Sequence, residues 1–168
     1  MIVVSDSGPL IYLSQLGLLD LLHESFGQVH VPQQVYDEVV VAGGSLPGSS
    51  EVKAAAGSWL QVIAVDVPAV ESDVVPITLD AGERAAIRLL LELKGERLLC
   101  DDRRGRNAAA ELGFQVVGTA GILLSAKFRG RITRLRPLLD QLTNAGFRLS
   151  EHVYLDVIER AGESEDVL

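Results

Sequence analysis

Among its 168 residues this chain has one cysteine, Cys100. A lone thiol excludes an intrachain disulfide and any zinc site built from several cysteines. No uninterrupted apolar run approaches the roughly 20 residues of a membrane span. The N-terminus has no basic region ahead of its first apolar residues, so no signal peptide is expected, and a cytoplasmic location fits. Internal repeats, low-complexity tracts and a glycine-rich phosphate loop are all missing. Gly118-Thr119-Ala120-Gly121 lacks both the spacing and the lysine of a P-loop. Only three histidines occur, His23, His30 and His152, and none has a partner suggesting a nucleophilic triad. Asp6-Ser7-Gly8 also lacks the second aspartate, two residues on, that a haloacid-dehalogenase-type phosphatase needs.

Positive charge is scarce too, but unevenly. The formal net charge is −8, which argues at first against an anionic partner. Residues 1–96 carry four Lys/Arg against thirteen Asp/Glu, and residues 137–168 carry two against seven. Residues 97–136 carry nine against three. A single basic block in an acidic chain suits a nucleic acid better than the total does. A solvated arginine surface is the competing reading.

What is present alternates between strand and helix. Ile2-Val3-Val4 runs into Asp6, and Ser7-Gly8-Pro9 breaks the strand and starts a helix to about Leu16. A second apolar helix follows and ends near Phe26-Gly27. Val29-His30-Val31 is a short strand, closed by Pro32, and Gln33 to Val41 reads as a helix. Residues 43–50 are a loop by composition, Glu51 to Gly57 a short helix, Trp59 to Val65 a strand, and 66–78 a surface connection. Asp80 to about Leu93 is the strongest helix. Arg97 to Cys100 is a strand, Arg103 to Leu112 a helix, and Phe114 to Gly118 a strand. Three helices close the chain: Thr119 to Lys127, Arg131 to Asn144 with Pro137 bending or restarting it, and one from about Ser150 to Arg160. The tail from about 161 to 168 is acidic and expected to fray. This order implies parallel βαβ units. The expected class is α/β, a short parallel sheet covered on both faces, in one domain spanning 1–168.

Acids stand where such a sheet puts its ligands. Asp6 and Asp101-Asp102 follow apolar strands, and open α/β sheets bind ligands at the carboxyl ends of strands. Asp6 could equally be a helix cap. Val31, Val35 and Val39 form an i, i+4, i+8 stripe, and Glu38 borders it while Asp37 lies further round. Glu83 falls three residues after Asp80, the capping-box position, yet lies one turn ahead of buried-face Ile87. Clustered carboxylates raise one another's pKa, and a hard divalent ion such as Mg²⁺ or Mn²⁺ relieves the repulsion. The chemistry that follows from such a set is phosphodiester hydrolysis.

The combined pattern resembles the PIN domain. Val4-Ser5-Asp6-Ser7-Gly8-Pro9-Leu10-Ile11, then Val31-Pro32 and a helix bearing Glu38, carry the likeness. Leu79-Asp80-Ala81-Gly82-Glu83-Arg84-Ala85-Ala86-Ile87, Leu99-Cys100-Asp101-Asp102-Arg103-Arg104-Gly105-Arg106 and Val117-Gly118-Thr119-Ala120-Gly121-Ile122-Leu123 narrow it to the DUF3368 type. The resemblance implies a Rossmann-like α/β/α sandwich and a metal-dependent ribonuclease acting on single-stranded RNA. It implies kinship with the toxins of toxin–antitoxin pairs, hence an antitoxin partner and a homodimer. Carried over by position, Asp6, Glu38, Glu83 and Asp101 are the catalytic acids, with Mg²⁺ or Mn²⁺ held by Asp6, Glu83 and Asp101 or Asp102. Asp101 is favoured as the fourth acid because it directly follows the strand. Ser7 would help hold a metal-bound water or a phosphate. Arg103, Arg104 and Arg106 would meet the nucleic-acid backbone. Two departures are visible: the third acid is Glu where many toxins have Asp, and the Arg103-Arg104-Gly105-Arg106 run replaces a shorter turn.

Overall fold

A computed structural model describes residues 1–68 and 74–164. The chain divides into two compact units, Met1–Gly118 and Thr119–Leu168. The first holds a five-stranded, wholly parallel sheet in the order β3-β2-β1-β4-β5. Its strands are β1 (Val3–Ser5), β2 (Val29–Pro32), β3 (Leu60–Ile63), β4 (Arg97–Leu99) and β5 (Gln115–Val117). Val3, Val4, Val29, Val31, Leu98 and Leu99 are buried, as continuous apolar strands of a covered parallel sheet should be. Strand order reverses at β1, so the gap between β1 and β4 is the sheet's switch point. There Val3 pairs with Arg97 and Ser5 with Leu99, and the Asp6 N–H donates to the Leu99 carbonyl at 2.9 Å. That register puts the residues following both strands at one edge.

The helices of this unit are α1 (Ser7–Gln15), α2 (Asp20–Phe26), α3 (Gln33–Tyr36), α4 (Ser49–Ala55), α5 (Ala81–Glu92) and α6 (Arg103–Glu111). Helix α1 starts two residues before Pro9, which sits in the first turn, where its missing N–H costs nothing. The expected helix from Gln33 to Val41 is one turn of α-helix followed by a π-helical segment, Asp37–Ala42. A Cβ on Gly43, just past that segment, would collide with the Val39 carbonyl. Helix α5 buries Ala85, Ala86, Ile87, Leu89 and Leu90 in the core with Val4, Leu98 and Cys100. The expected surface connection at 66–78 is only partly of that kind: Val75 is fully buried in the same core, and 69–73 lie outside the described residues.

The second unit contains α7 (Thr119–Phe128), α8 (Arg136–Asn144) and α9 (Glu151–Arg160). The expected helix from Arg131 begins only at Arg136, because Pro137 restarts it rather than bending it. Leu135, at the N-cap position, has no side-chain oxygen to accept the free N–H groups. Glu163 does so instead, taking the Leu135 N–H at 2.6 Å and the Arg136 N–H at 2.8 Å and pairing with Lys127. Those bonds hold its carboxyl below the usual range despite burial. Residues 161–164 were expected to fray, but Glu163 is only 5 % exposed, and Ala161 is buried too. The remainder of that tail, 165–168, lies outside the described residues. No helix among the described residues is long and apolar enough to cross a membrane.

Candidate active site

Asp6 occupies the N-cap position of α1 with extended backbone, yet its side chain makes no capping bond. The carboxylate turns inward and is 6 % exposed. Its Oδ2 accepts from the Cys100 thiol at 3.7 Å. Its Oδ1 lies 3.5 Å from where a Cβ on Gly82 would stand. Around that same point are Glu38 Oε2 at 3.0 Å and Asp80 Oδ1 at 3.5 Å. Three carboxylate oxygens, from β1's end, the π-helical segment and the start of α5, therefore surround one glycine. Burial, helped by Asp80 and Glu38, pushes the Asp6 carboxyl up to about 7, against the Ser7 backbone N–H and the thiol.

Glu38 is raised as well, by burial first and then by Asp80, while the Ser7 hydroxyl donates to it and opposes the rise. Asp37, its neighbour, instead accepts from Gln33 Nε2 at 2.8 Å. Ser7 thus bridges the first two acids through two different groups.

Glu83 caps its helix, as its position three residues after Asp80 predicts. Its N–H donates to Asp80 Oδ1 at 2.8 Å, and its Oε2 accepts the Asp80 N–H at 3.1 Å, a complete capping box. It is also 6 % exposed, with its carboxyl carbon 3.5 Å from where a Cβ on Gly105 would stand, next to the Cys100 thiol at 3.0 Å. Burial, and a hydrogen bond shared with Asp102, push it up to about 7.

The two candidates for the fourth acid part company. Asp102 caps α6, accepting from the Arg104 N–H at 2.8 Å and the Gly105 N–H at 3.4 Å; against its burial, a hydrogen bond with Glu83 and then these two lower its pKa. Asp101 stands one residue before that cap. Its Oδ2 lies 2.9 Å from the Cβ position of Gly8 in α1, and its Oδ1 3.0 Å from that of Gly118. It therefore faces the start of α1, the helix that Asp6 precedes.

The arginines also divide. Arg104 donates to the Thr78 carbonyl, and Arg106 to the Cys100 carbonyl at 2.9 Å. Both were expected to meet nucleic acid, and both are already holding backbone of their own chain. Arg103 is exposed at the first turn of α6. Sequence reasoning missed two groups. Asp80 passed as a helix cap, which it is, but it also adds charge beside Asp6, Glu38 and Glu83. Cys100 passed as a lone thiol at the end of a strand. Its position directly before Asp101 on the strand was the available signal.

Does a hard divalent ion suit this donor set? Asp6, Glu38 and Glu83 are raised by burial and by neighbouring carboxyls, and what opposes the rise at Asp6 and Glu38 is hydrogen bonding. That is a cluster of negative charge whose ionised form a cation would favour. Among the described residues, no three Asp, Glu, His or Cys side chains are already drawn in as a ligand set. The chemistry fits an ion held partly through water, as Mg²⁺ prefers.

A family model described as a PIN domain, DUF3368, matches residues 2–163. The chain belongs to the PIN-domain family. PIN domains are generally nucleases and usually use divalent metal ions. This PIN domain is similar in fold to a PilT N-terminus domain protein from the hyperthermophilic archaeon Sulfolobus solfataricus P2, at 17 % identity and a TM-score of 0.52, over 75 % of this chain and 93 % of that one. None of the curated proteins matches it.

Proposed function

We propose that this PIN domain is a Mg²⁺- or Mn²⁺-dependent endoribonuclease that hydrolyses phosphodiester bonds of single-stranded RNA. The carrying observation is the meeting of Asp6, Glu38 and Asp80 oxygens around Gly82, with Asp6 raised to about 7. Asp6, Glu38, Glu83 and Asp101 would hold the ion, and Asp102 would support Glu83. When bound, the ion supplies a Lewis acid for the phosphoryl oxygen and an acidified water. Asp6 presents Oδ1 to the cleft while its other oxygen is held by the thiol. Glu38, half-exposed and bonded by Ser7, is the acid best placed to accept a proton from an attacking water. Arg103 faces solvent beside the acids' edge and is free to meet a backbone phosphate. RNA rather than DNA, a toxin role with an antitoxin partner, a homodimer and the cytoplasm rest on kinship with the family's toxins.

The test is cleavage of a labelled single-stranded RNA with Mg²⁺ or Mn²⁺, with and without chelator. Asp6→Asn should abolish chelator-sensitive cleavage while its circular dichroism matches wild type. Equal cleavage by both proteins refutes the assignment. The engagement of Asp80, Glu83 and Asp102 in helix capping favours a second reading, a catalytically silent nucleic-acid-binding or protein-interaction module. Calorimetric titration separates the two. Heat with Mn²⁺ that is lost in the Asp101→Ala, Asp102→Ala double variant supports the enzyme, and no binding at millimolar Mn²⁺ supports the module.

A further inference from the structure

Three helices enter the acid cleft with a glycine in their first turn: Gly8 in α1, Gly82 in α5 and Gly105 in α6. None of the three has positive φ, so backbone conformation does not call for glycine there. Alanine is the better helix former at such positions. What the three share is an acid on their bare side. A Cβ on Gly8 would stand 2.9 Å from Asp101 Oδ2, one on Gly82 3.0 Å from Glu38 Oε2 and 3.5 Å from Asp6 Oδ1, and one on Gly105 3.4 Å from Glu83 Cγ and 3.0 Å from the Cys100 sulfur. Gly105 thereby makes room for the thiol, whose proton has two acceptors at 3.7 Å, Asp6 Oδ2 and the Asp102 carbonyl. Cys100 is 1 % exposed, so water does not compete for that proton. Asp6 thus has one oxygen within reach of the thiol, while its other oxygen lies at the Gly82 position that Glu38 Oε2 also approaches.

We propose that Gly82 and Cys100 are positioning residues for the cleft: the thiol orients the Asp6 carboxylate, and the missing side chain at Gly82 lets Asp6 and Glu38 face a shared ion. This rests on the reading of the cleft as a metal site. Neither residue touches the ion or the substrate; both act through the carboxylates. A Cβ at Gly82 meets the far end of the flexible Glu38 side chain, which yields by a few tenths of an ångström at little cost to the fold. The displaced carboxylate loses its place opposite Asp6. Losing a support of this kind typically weakens metal binding by about 10- to 100-fold.

The experiment is Mn²⁺ titration by calorimetry, with chelator-treated melting curves, for wild type, Gly82→Ala, Cys100→Ala and Cys100→Ser. Gly82→Ala should melt no lower than wild type without metal, yet bind Mn²⁺ at least about tenfold more weakly. Cys100→Ala should lose about as much affinity, and Cys100→Ser, which restores a donor to Asp6, should regain most of it. A core-packing role alone predicts no rescue, since a buried serine packs no better than alanine. Wild-type binding with Gly82→Ala equal to it, or with serine no better than alanine, overturns the inference and leaves the metal reading standing. A wild type that binds no Mn²⁺ overturns both.

Discussion

Replacing Asp6 by asparagine should stabilise the metal-free protein at alkaline pH. Burial raises the Asp6 carboxyl from an ordinary 3.8 to about 7. Its folded pKa lies above its unfolded one, so between those values the native state binds the extra proton. Stability is greatest below about 4 and falls as pH rises toward 7. Above 7 the native state carries a penalty of roughly three pKa units, about 4 kcal/mol as an upper bound, since one unit is about 1.4 kcal/mol. Asparagine has nearly the same shape and no charge, so it removes the penalty. In a chain of this length about 4 kcal/mol corresponds to roughly 10 °C in Tm. The assay is thermal denaturation in chelator at pH 5 and pH 8. Asp6→Asn should melt well above wild type at pH 8, and the gap should shrink at pH 5. Glu83 titrates in the same window and lowers wild type further, but it is common to both proteins. Adding Mn²⁺ should raise wild type and leave Asp6→Asn unmoved, since a ligand stabilises only the state that binds it. An Asp6→Asn protein that melts below wild type at pH 8 without metal would refute the claim that the Asp6 charge is held against its own stability.

Other outcomes follow from the same geometry. Glu163→Gln should destabilise the chain by about 2–3 kcal/mol, because Lys127 and two backbone N–H groups lose a charged acceptor. Its wild-type contribution is present above the ordinary carboxylate pKa and fades as pH falls through the lowered value, so the gap measured by urea unfolding should be wide at pH 7 and narrow as the solution is acidified below that lowered value. Asp102→Ala should cost about 1 kcal/mol as a lost helix cap, whereas Asp101→Ala should act chiefly by lowering Mn²⁺ affinity; the reverse pattern would exchange their assigned roles. Arg103→Ala should flatten the salt dependence of single-stranded RNA binding by about 0.7 in log–log slope. Arg106→Ala should act chiefly by lowering Tm, since its guanidinium holds the Cys100 carbonyl.

How much of this was open to sequence reasoning follows from the range of the forces involved. The alternation of strand and helix, the capping box of Asp80 and Glu83, the leading acid Asp6 and the parallel class are local patterns, written into spacing and residue type, and were read from the chain alone. Helix ends were less legible. Nothing in Arg131-Ile132-Thr133 told whether Pro137 would bend or restart the helix, and the cap of α8 comes from Glu163, 28 residues beyond Leu135. The π-helical stretch around Glu38 was equally hidden, because one inserted residue per turn leaves the apolar stripe almost intact.

The choice between cap and site was undecidable in one dimension. Asp6 and Asp102 both precede helices and both carry the residue type that caps them, yet only Asp102 does so. What separates them is burial: Asp6 stands where β1 and β4 adjoin and meets a thiol, an α5 glycine and another helix's glutamate, while Asp102 stands in water with free N–H groups in reach. Arg104 and Arg106 look like phosphate ligands in any basic run, and only their distance to Thr78 and Cys100 carbonyls shows where their protons go. Residue order determined which groups this chain owns; folding decided which of them lose water together, and electrostatic character follows from that.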